Sequence, residues 1–435
     1  MKKNYQRKAA SAATTSEGVL PDEVSVAMAE LAGAMKEGLL AMAVGAGFQV
    51  MAVMMEDTVT SLAGPKGRHD SDRTAVRHGS EAGAVTLGGR RVPVRRPRVR
   101  TADRSGEVPV PAYDLFSSTD LLGPMVLERM MAKLSTRRYA AGLEPVGAQI
   151  QASARSTSRS AVSRRFVAAT EAALGELMGE DLSGLDLVAI MIDGVHFADH
   201  LCVVALGIGI DGTKHPLGLV EGDTENATVV KDLLAGLRDR GMDTTRPILA
   251  VLDGAKALTA AVNAVFDHPV IQRCQFHKIR NVERYLPDAL AATVASKMRA
   301  AYRDPDALQA EATLQALAKS LDKAHPGAAG SLREGLTETL AVIRLGVPPT
   351  LARTLRSTNP IESMIEIARD HSTNVKRWRD GDMTLRWCAA GMLEARKQFR
   401  RVNGHLHLRA LRVALYAHTG INPAQIDYNN EEDAA

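Results

Sequence analysis

Between Leu185 and Cys274 short apolar runs alternate with turn and helix signals, and that alternation restricts the region to a mixed α/β sheet. LDLVAIMIDG, HLCVVALGIGI and KHPLGLVEGD read as three consecutive strands, with Asp211-Gly212 as the hairpin turn between the last two. Strands joined so closely imply an antiparallel meander. TENATVVKDLLAGLRDRG then reads as an amphipathic helix with Thr224 as its N-cap. RPILAVLDG follows as a strand, AKALTAAVNAVF as a helix and PVIQRC as a short strand.

Three strands, helix, strand, helix, strand is the order of a ribonuclease-H-like core, although other topologies share the count. Beyond Gln275 the chain reads as helical through about Leu345, with breaks at Pro305, Pro326 and Pro348. A further helix is expected after RSTNPIES, where Thr358 or Asn359 can cap and Pro360 suits the first turn. The predicted architecture is α/β: a mixed sheet with an all-helical insertion, preceded by helical N-terminal domains that bind DNA.

At 435 residues, 45% hydrophobic and 24% charged, the chain has the composition of a globular protein of several domains. Its three cysteines, Cys202, Cys274 and Cys388, do not form a secretory disulfide framework, so a reducing cytoplasm is expected. The basic start lacks an apolar signal core. The apolar stretch from Leu39 to Met55 contains Gln49 and two glycines and is short for a membrane span, so it reads as a packed or dimerising helix.

Net charge is only +4, and its distribution is more informative. Arginines crowd into GGRRVPVRRPRVR: Arg90, Arg91, Arg95, Arg96, Arg98 and Arg100. Interleaved with Val and Pro, they suit an extended arm or edge strand that neutralises DNA phosphates without reading bases. A solvated surface segment would have the same composition. Downstream, a short helix, a Ser156–Ser158 turn and SRSAVSRRFVAAT suit a helix-turn-helix offering Arg159, Arg164 and Arg165 to double-stranded DNA, and equally suit a structural bundle. The expected divisions are a helical dimerising region (1–65), the basic arm (66–115) and a helix-turn-helix-like domain (116–180). The catalytic core follows in two parts (181–282 and 356–410), separated by the helical insertion (283–355) and ending in a tail (411–435).

Chemistry concentrates at two Asp-Gly pairs. Asp193 is expected at the C-terminal end of the first apolar strand and Asp253 at the end of the fourth, with Glu362 one turn into the helix after Pro360. Three carboxylates so placed can hold two Mg²⁺ or Mn²⁺ ions, which activate an attacking oxygen and stabilise a leaving one. Asp-Gly turns are common and a first-turn Glu is favourable through the helix dipole alone, so each acid also has an ordinary explanation.

IDG at Asp193, GDTEN at 222–226, LDGAKAL from Leu252, RCQFHKIRNV from Arg273, STNPIES from Ser357 and VKRWRDGDMTLRW from Val375 together resemble the Mutator-type transposases of bacterial insertion sequences. RHGSEAGAVTLGGRRVPVRRPRVR resembles their upstream basic segment, and the resemblance covers about residues 70 to 410. It implies a DDE transposase with Asp193, Asp253 and Glu362 as its triad, acting on the terminal inverted repeats of its element and on target DNA. No covalent protein-DNA intermediate is implied, and the assembly on DNA is expected to be a dimer or larger. Cys274 and His277 match the family's Cys-x-x-His signature. Four ligands are usual for structural zinc and no second pair stands near in sequence, so a structural or DNA-positioning role beside the pocket is expected. Trp378 is placed with them, and Lys376, Arg377 and Arg379 are candidates for holding phosphates. Ile365 departs from the Asn that many relatives carry three residues after the Glu. A ribonuclease-H-like nuclease or resolvase, and a catalytically silent DNA-binding regulator, are the competing readings.

Overall fold

The computed structural model describes residues 22–68, 70–143, 146, 148–222 and 226–422, which fall into two compact units. Thr224, most of GDTEN, the first residues and the last of the tail lie outside the described residues.

The first unit comprises residues up to Leu122 together with Ala140–Ser158. Helix α1 (Asp22–Ala63) is one continuous helix of 42 residues, where the sequence allowed one or two. It contains the whole Leu39 to Met55 stretch, in which Leu39, Val50, Val53 and Met54 are exposed. No helix among the described residues is long and apolar enough to cross a membrane. The basic arm is strand: β1 (Ala75–Leu87) and β2 (Arg90–Thr101) form an antiparallel hairpin, and β3 (Glu107–Val108) pairs with the end of β2. The expected edge strand is therefore central in its sheet, but only at Val99 and Arg100 does it face β3. Pro93 and Pro97, which have no N–H to give, lie where β1 is the paired strand. The core of this unit joins Val59 and Ala63 of α1 to Ala75, Val99 and Val110. Helix α2 (Pro111–Ser117) follows. The helix expected to reach Gly142 stops early: α3 (Leu122–Met131) gives way at Lys133, whose φ of 69° no helix accommodates. Helix α4 (Ala148–Ser153) is only six residues long.

The second unit carries the large sheet. Strands β4 (Leu187–Phe197), β5 (His200–Gly209) and β6 (Lys214–Gly222) form the meander, with Gly212 at φ 87° in the predicted hairpin turn. Helix α6, named after the long α5 (Arg159–Gly179) that precedes the sheet, spans Ala227–Asp239, and Asn226 rather than Thr224 caps it by accepting from the amide of Val229 at 2.9 Å. Strand β7 (Ile248–Leu252), helix α7 (Lys256–Val265) and strand β8 (Pro269–Arg273) complete the order β6-β5-β4-β7-β8, in which β7 and β8 run parallel to β4. Even-numbered residues of the central strand, Ile190 and Ile192, pack under α6 and α7 with Leu234, Leu237 and Val262. The alternation of a strand sends Asp193, Val195 and Phe197 to the opposite face.

Helices α8 (Gln275–Glu283), α9 (Asp288–Ala301), α10 (Ala307–Leu321), α11 (Pro326–Arg333), α12 (Ala341–Arg344) and α13 (Pro349–Leu355) form the predicted helical block around its own apolar core. Buried polar bonds hold it to the sheet. Gln272 of β8 donates to the carbonyl of Thr339 at 3.0 Å and accepts from the amide of Val342 at 2.8 Å, while Gln275 donates to the same Thr339 carbonyl at 2.9 Å. Lys278, fully buried, donates to the carbonyls of Ser331 and Glu334, and burial lowers its pKa to about 8.

Helices α14 (Asn359–His371) and α15 (Gly381–Gln398) return to the sheet, and α16 (Leu408–Thr419) packs against β4 and β7, with Leu408, Leu411 and Leu415 buried. The tail expected from residue 411 thus begins inside a docked helix, where Arg412 holds Asp186 at 2.6 Å. The expected RDGDMTLR loop is largely helix, because Asp380 caps α15 by accepting from the amide of Met383. α15 lies so close to α14 that a Cβ on Gly391 would sit 2.6 Å from the Cα of Ala368. Gly391→Val is therefore expected to destabilise the protein by about 1–3 kcal/mol, read as a lower thermal midpoint. An unchanged midpoint would contradict this close approach.

Candidate active site

Strand register brings the site together. Ile192, Leu252 and Arg273 pair across the parallel strands β4, β7 and β8. The next residue on each chain is Asp193, Asp253 and Cys274, so all three emerge at one edge. Asp253 lies just past its strand, as expected. Asp193 does not end its strand: pairing with β7 stops at Ile192, but the antiparallel hairpin with β5 runs on to Phe197 and His200. The sequence pattern could not separate the end of one ladder from the end of the strand. The amide of Cys274 donates to the carbonyl of Leu252 at 2.7 Å, and that of Gln275 to the carbonyl of Arg356 at 3.0 Å. The second bond ties the start of α8 to the residues just before α14, whose first turn carries Glu362.

Backbone amides orient the aspartates. Gly194 N–H donates to Asp193 Oδ1 at 2.8 Å, and Ala255 N–H donates to Asp253 Oδ1 at 2.8 Å. Burial, then the facing Asp253 carboxylate, raises the pKa of Asp193 to about 7, with a smaller contribution from Glu362. The glycines of both Asp-Gly pairs have different surroundings: Gly254 adopts φ 106° against the Arg273 guanidinium, a conformation and a space that only glycine fits.

A second donor set lies beside the aspartates. Ligating atoms of Cys274, His277 and Glu362 fall within 4.8 Å of one another. His277 Nε2 is 3.9 Å from Glu362 Oε1. The hydrogen bond with Cys274 raises His277 to about 9, so at neutral pH the ring is an imidazolium. For Cys274, burial pushes the thiol up, but hydrogen bonds with His277 and Thr358 outweigh it and leave it below its ordinary value. The third donor of this set comes from Glu362, far away in sequence, which is why a search for a neighbouring Cys or His pair passes over it.

Thr358 is the residue that sequence reasoning assigned another task. Its side chain makes no cap bond to α14. Fully buried, its hydroxyl donates to Glu362 Oε1 at 2.5 Å and sits 3.4 Å from both Cys274 Sγ and His277 Nδ1. Ile365 is buried with Ile361 and Met364 on the core face of α14.

The basic candidates are dispersed. Arg90 is buried, and Arg91 donates to the carbonyl of Ser117 at 2.5 Å. Arg95 donates to Ser80, Arg96 pairs with Glu81, and Arg98 forks onto Glu107 with two bonds of 3.0 Å. The cross-strand acids thus already answer part of the charge that sequence reading left for phosphates. Ion pairs this open to solvent are weak, so a phosphate can compete for them. Arg100 has no ion pair among the described residues. Arg159 and Arg164 are exposed on α5 and Arg165 is half-buried, while the opposite face of that helix, including Val162 and Phe166, is buried. Phe166 packs on Trp387 of α15 with ring centroids 4.6 Å apart. α4 and α5, the expected helix-turn-helix pair, fall in different units. Trp378 packs on Phe197 at 4.9 Å, within the loop that carries Lys376, Arg377 and Arg379.

The sequence profile described as transposase, Mutator family, matches residues 19–401. The transposase for insertion sequence element IS6120 of Mycolicibacterium smegmatis is 32% identical over 195 residues, 43% of this chain and 59% of that protein. A probable transposase for an insertion sequence element of Corynebacterium diphtheriae is 31% identical over 41% of this chain and 52% of its own length. The chain thus spans somewhat over half the length of these two relatives. The transposase for insertion sequence element ISRM5 of Rhizobium meliloti is 25% identical over a longer span, 81% of this chain and 87% of that protein. With the profile matched over most of its length, this chain belongs to the Mutator family of transposases.

Proposed function

We propose that the protein is a DDE transposase that binds the terminal inverted repeats of its insertion sequence, cuts DNA strands by hydrolysis and joins the freed 3′ ends to target DNA. The observation that carries this reading is that Asp193 and Asp253 leave neighbouring parallel strands at one edge of the sheet, where the carboxylate of Asp253 and, less strongly, that of Glu362 raise the pKa of Asp193. The strand order β6-β5-β4-β7-β8, with a helical block inserted before α14, supports a ribonuclease-H-like core.

The donor set suits Mg²⁺ or Mn²⁺: its oxygens are hard carboxylate donors, and their mutual repulsion is what a dication would relieve. Asp193, Asp253 and Glu362 would hold the metal, which when bound supplies activation of the attacking oxygen and stabilisation of the leaving one. The protein's own groups prepare this place. The amides of Gly194 and Ala255 fix the aspartates, and the Thr358 hydroxyl and the His277 ring hold Glu362 oriented. Arg95 and Arg100 of the hairpin, Arg159, Arg164 and Arg165 of α5, and Lys376, Arg377 and Arg379 would neutralise backbone phosphates. The exposed apolar residues of α1 support pairing of two copies on the element ends, in a cytoplasmic, nucleoid-associated assembly.

Three outcomes test this reading. In cells carrying a plasmid with the flanking ends, wild type should give junctions and new insertions, and Asp193→Asn should bind the ends but give neither. Junctions from Asp193→Asn would contradict it.

The second outcome concerns pH. Asp193 ionises near pH 7 in the fold but near 3.8 when unfolded, so the unfolded chain releases this proton first. The metal-free protein should lose stability as pH rises from about 4 to about 7, at about 1.4 kcal/mol per pH unit at most. Asp193→Asn should therefore raise the thermal midpoint relative to wild type by about 5 °C more at pH 8 than at pH 5. An equal difference at the two pH values would contradict the carboxylate cluster.

Third, a hydrogen bond to a charged group contributes about 1.5–3 kcal/mol. Thr358→Val should lower strand cutting by about tenfold or more without weakening end binding, and Thr358→Ser should restore it. Full activity in Thr358→Val would remove Thr358 as a positioning residue.

A further inference from the structure

A second cavity lies in the catalytic unit, between α5, α15 and the loop that joins α14 to α15. Its volume is about 240 Å³, room for about eight waters at about 30 Å³ each. One wall is aromatic, made by Phe166 and Trp387. The rest mixes apolar side chains, Met130, Val167 and Met383 among them, with Ser163, Asn374, Arg386 and the loop cations Lys376, Arg377 and Arg379. No carboxylate lines it.

Two groups in this lining lack the partners that their burial demands. Arg386 is 8% exposed, and its guanidinium donates from Nη1 to the neutral hydroxyl of Thr170 at 3.1 Å, with no ion pair among the described residues. A guanidinium has five N–H donors and a full charge, and burying it is costly unless an anion completes the shell. The side-chain oxygen of Asn374 is also buried, with no hydrogen-bond partner. Lys376, Arg377 and Arg379 make no ion pair among the described residues, in contrast to Arg96 and Arg98 of the hairpin.

The position of the cavity links it to the carboxylates. Trp378, inside the same loop, packs on Phe197, which lies on the same face of β4 as Asp193 and four residues beyond it. At about 3.3 Å per residue that separation is about 13 Å, or about four steps of a DNA strand at about 3.4 Å each. A strand held at Asp193 therefore reaches the loop within a few nucleotides.

We propose that this cavity receives one unpaired nucleotide of the DNA strand held at the carboxylates. Arg386 and the loop cations take its phosphate, Asn374 hydrogen-bonds its base edge, and the Phe166–Trp387 wall contacts its base face. The proposal rests on the reading of the chain as an enzyme that works on DNA strands, and adds a site for a nucleotide lifted out of the duplex.

The test uses the full-length protein in the presence of a chelator, so that binding is read without cutting. Fluorescence anisotropy compares one duplex carrying a thymidine tail, an abasic tail of equal length, or no tail. Wild type should bind the thymidine tail about tenfold more tightly than the abasic tail, the factor expected for one stacked base. Tryptophan emission should be quenched by the thymidine tail in Trp378→Phe and not in Trp387→Phe. Asn374→Leu and Arg386→Gln should each abolish the thymidine preference while blunt-duplex affinity stays unchanged; Asn374→Leu carries the test if burial makes Arg386→Gln fail to fold. Equal affinity for thymidine and abasic tails in wild type would overturn the proposal and leave the transposase reading standing. A preference that survives Asn374→Leu would overturn it as well. Loss of binding to every DNA would remove the transposase reading and the pocket together.

Discussion

The active edge depends on where one hydrogen-bond ladder stops. β4, β7 and β8 are in parallel register as far as Ile192, Leu252 and Arg273, and the next residue on each strand is therefore delivered to the same edge. A shift of one residue in β4 or β7 would send its aspartate to the other face, among Ile190, Leu234 and Val262. The apolar strands and the charged edge are thus one constraint: the core fixes the register, and the register fixes the acids.

The helical block and α14 depend on the same edge. Gln272 and Gln275 spend their amides on Thr339 and Val342, and Lys278 is buried against carbonyls of the block, so these polar groups are satisfied only when the block is docked. The bond from Gln275 to Arg356 then returns the chain to the edge where α14 starts. Gly391 lets α15 approach Ala368 closely enough to hold α14 in place. Glu362 therefore reaches the aspartates through two anchored segments, although it is far from them in sequence.

Much of this was legible in the residues. The short apolar runs and their turn signals marked each strand of the large sheet, and Asp-Gly after an apolar run marked both aspartates. What pattern could not give was set by tertiary pairing. The continuation of β4 past Asp193 depends on the β5 hairpin, and the diversion of Thr358 from capping to Glu362 depends on helix α8 lying alongside. Cross-strand partners such as Glu81 and Glu107 are equally invisible in a linear count of arginines, so the basic hairpin looked freer than it is. Trp387 is 4% exposed and also lines a cavity, a position that its place in the sequence does not reveal.

Glu362 lies beside Cys274 and His277, whereas the proposed function assigns the metal to Glu362 with Asp193 and Asp253. Calorimetric titration of Mn²⁺ into wild type, Asp253→Asn and Cys274→Ser tests that assignment most directly. Binding kept in Cys274→Ser and lost in Asp253→Asn is the predicted result. Binding lost in Cys274→Ser and kept in Asp253→Asn would contradict it.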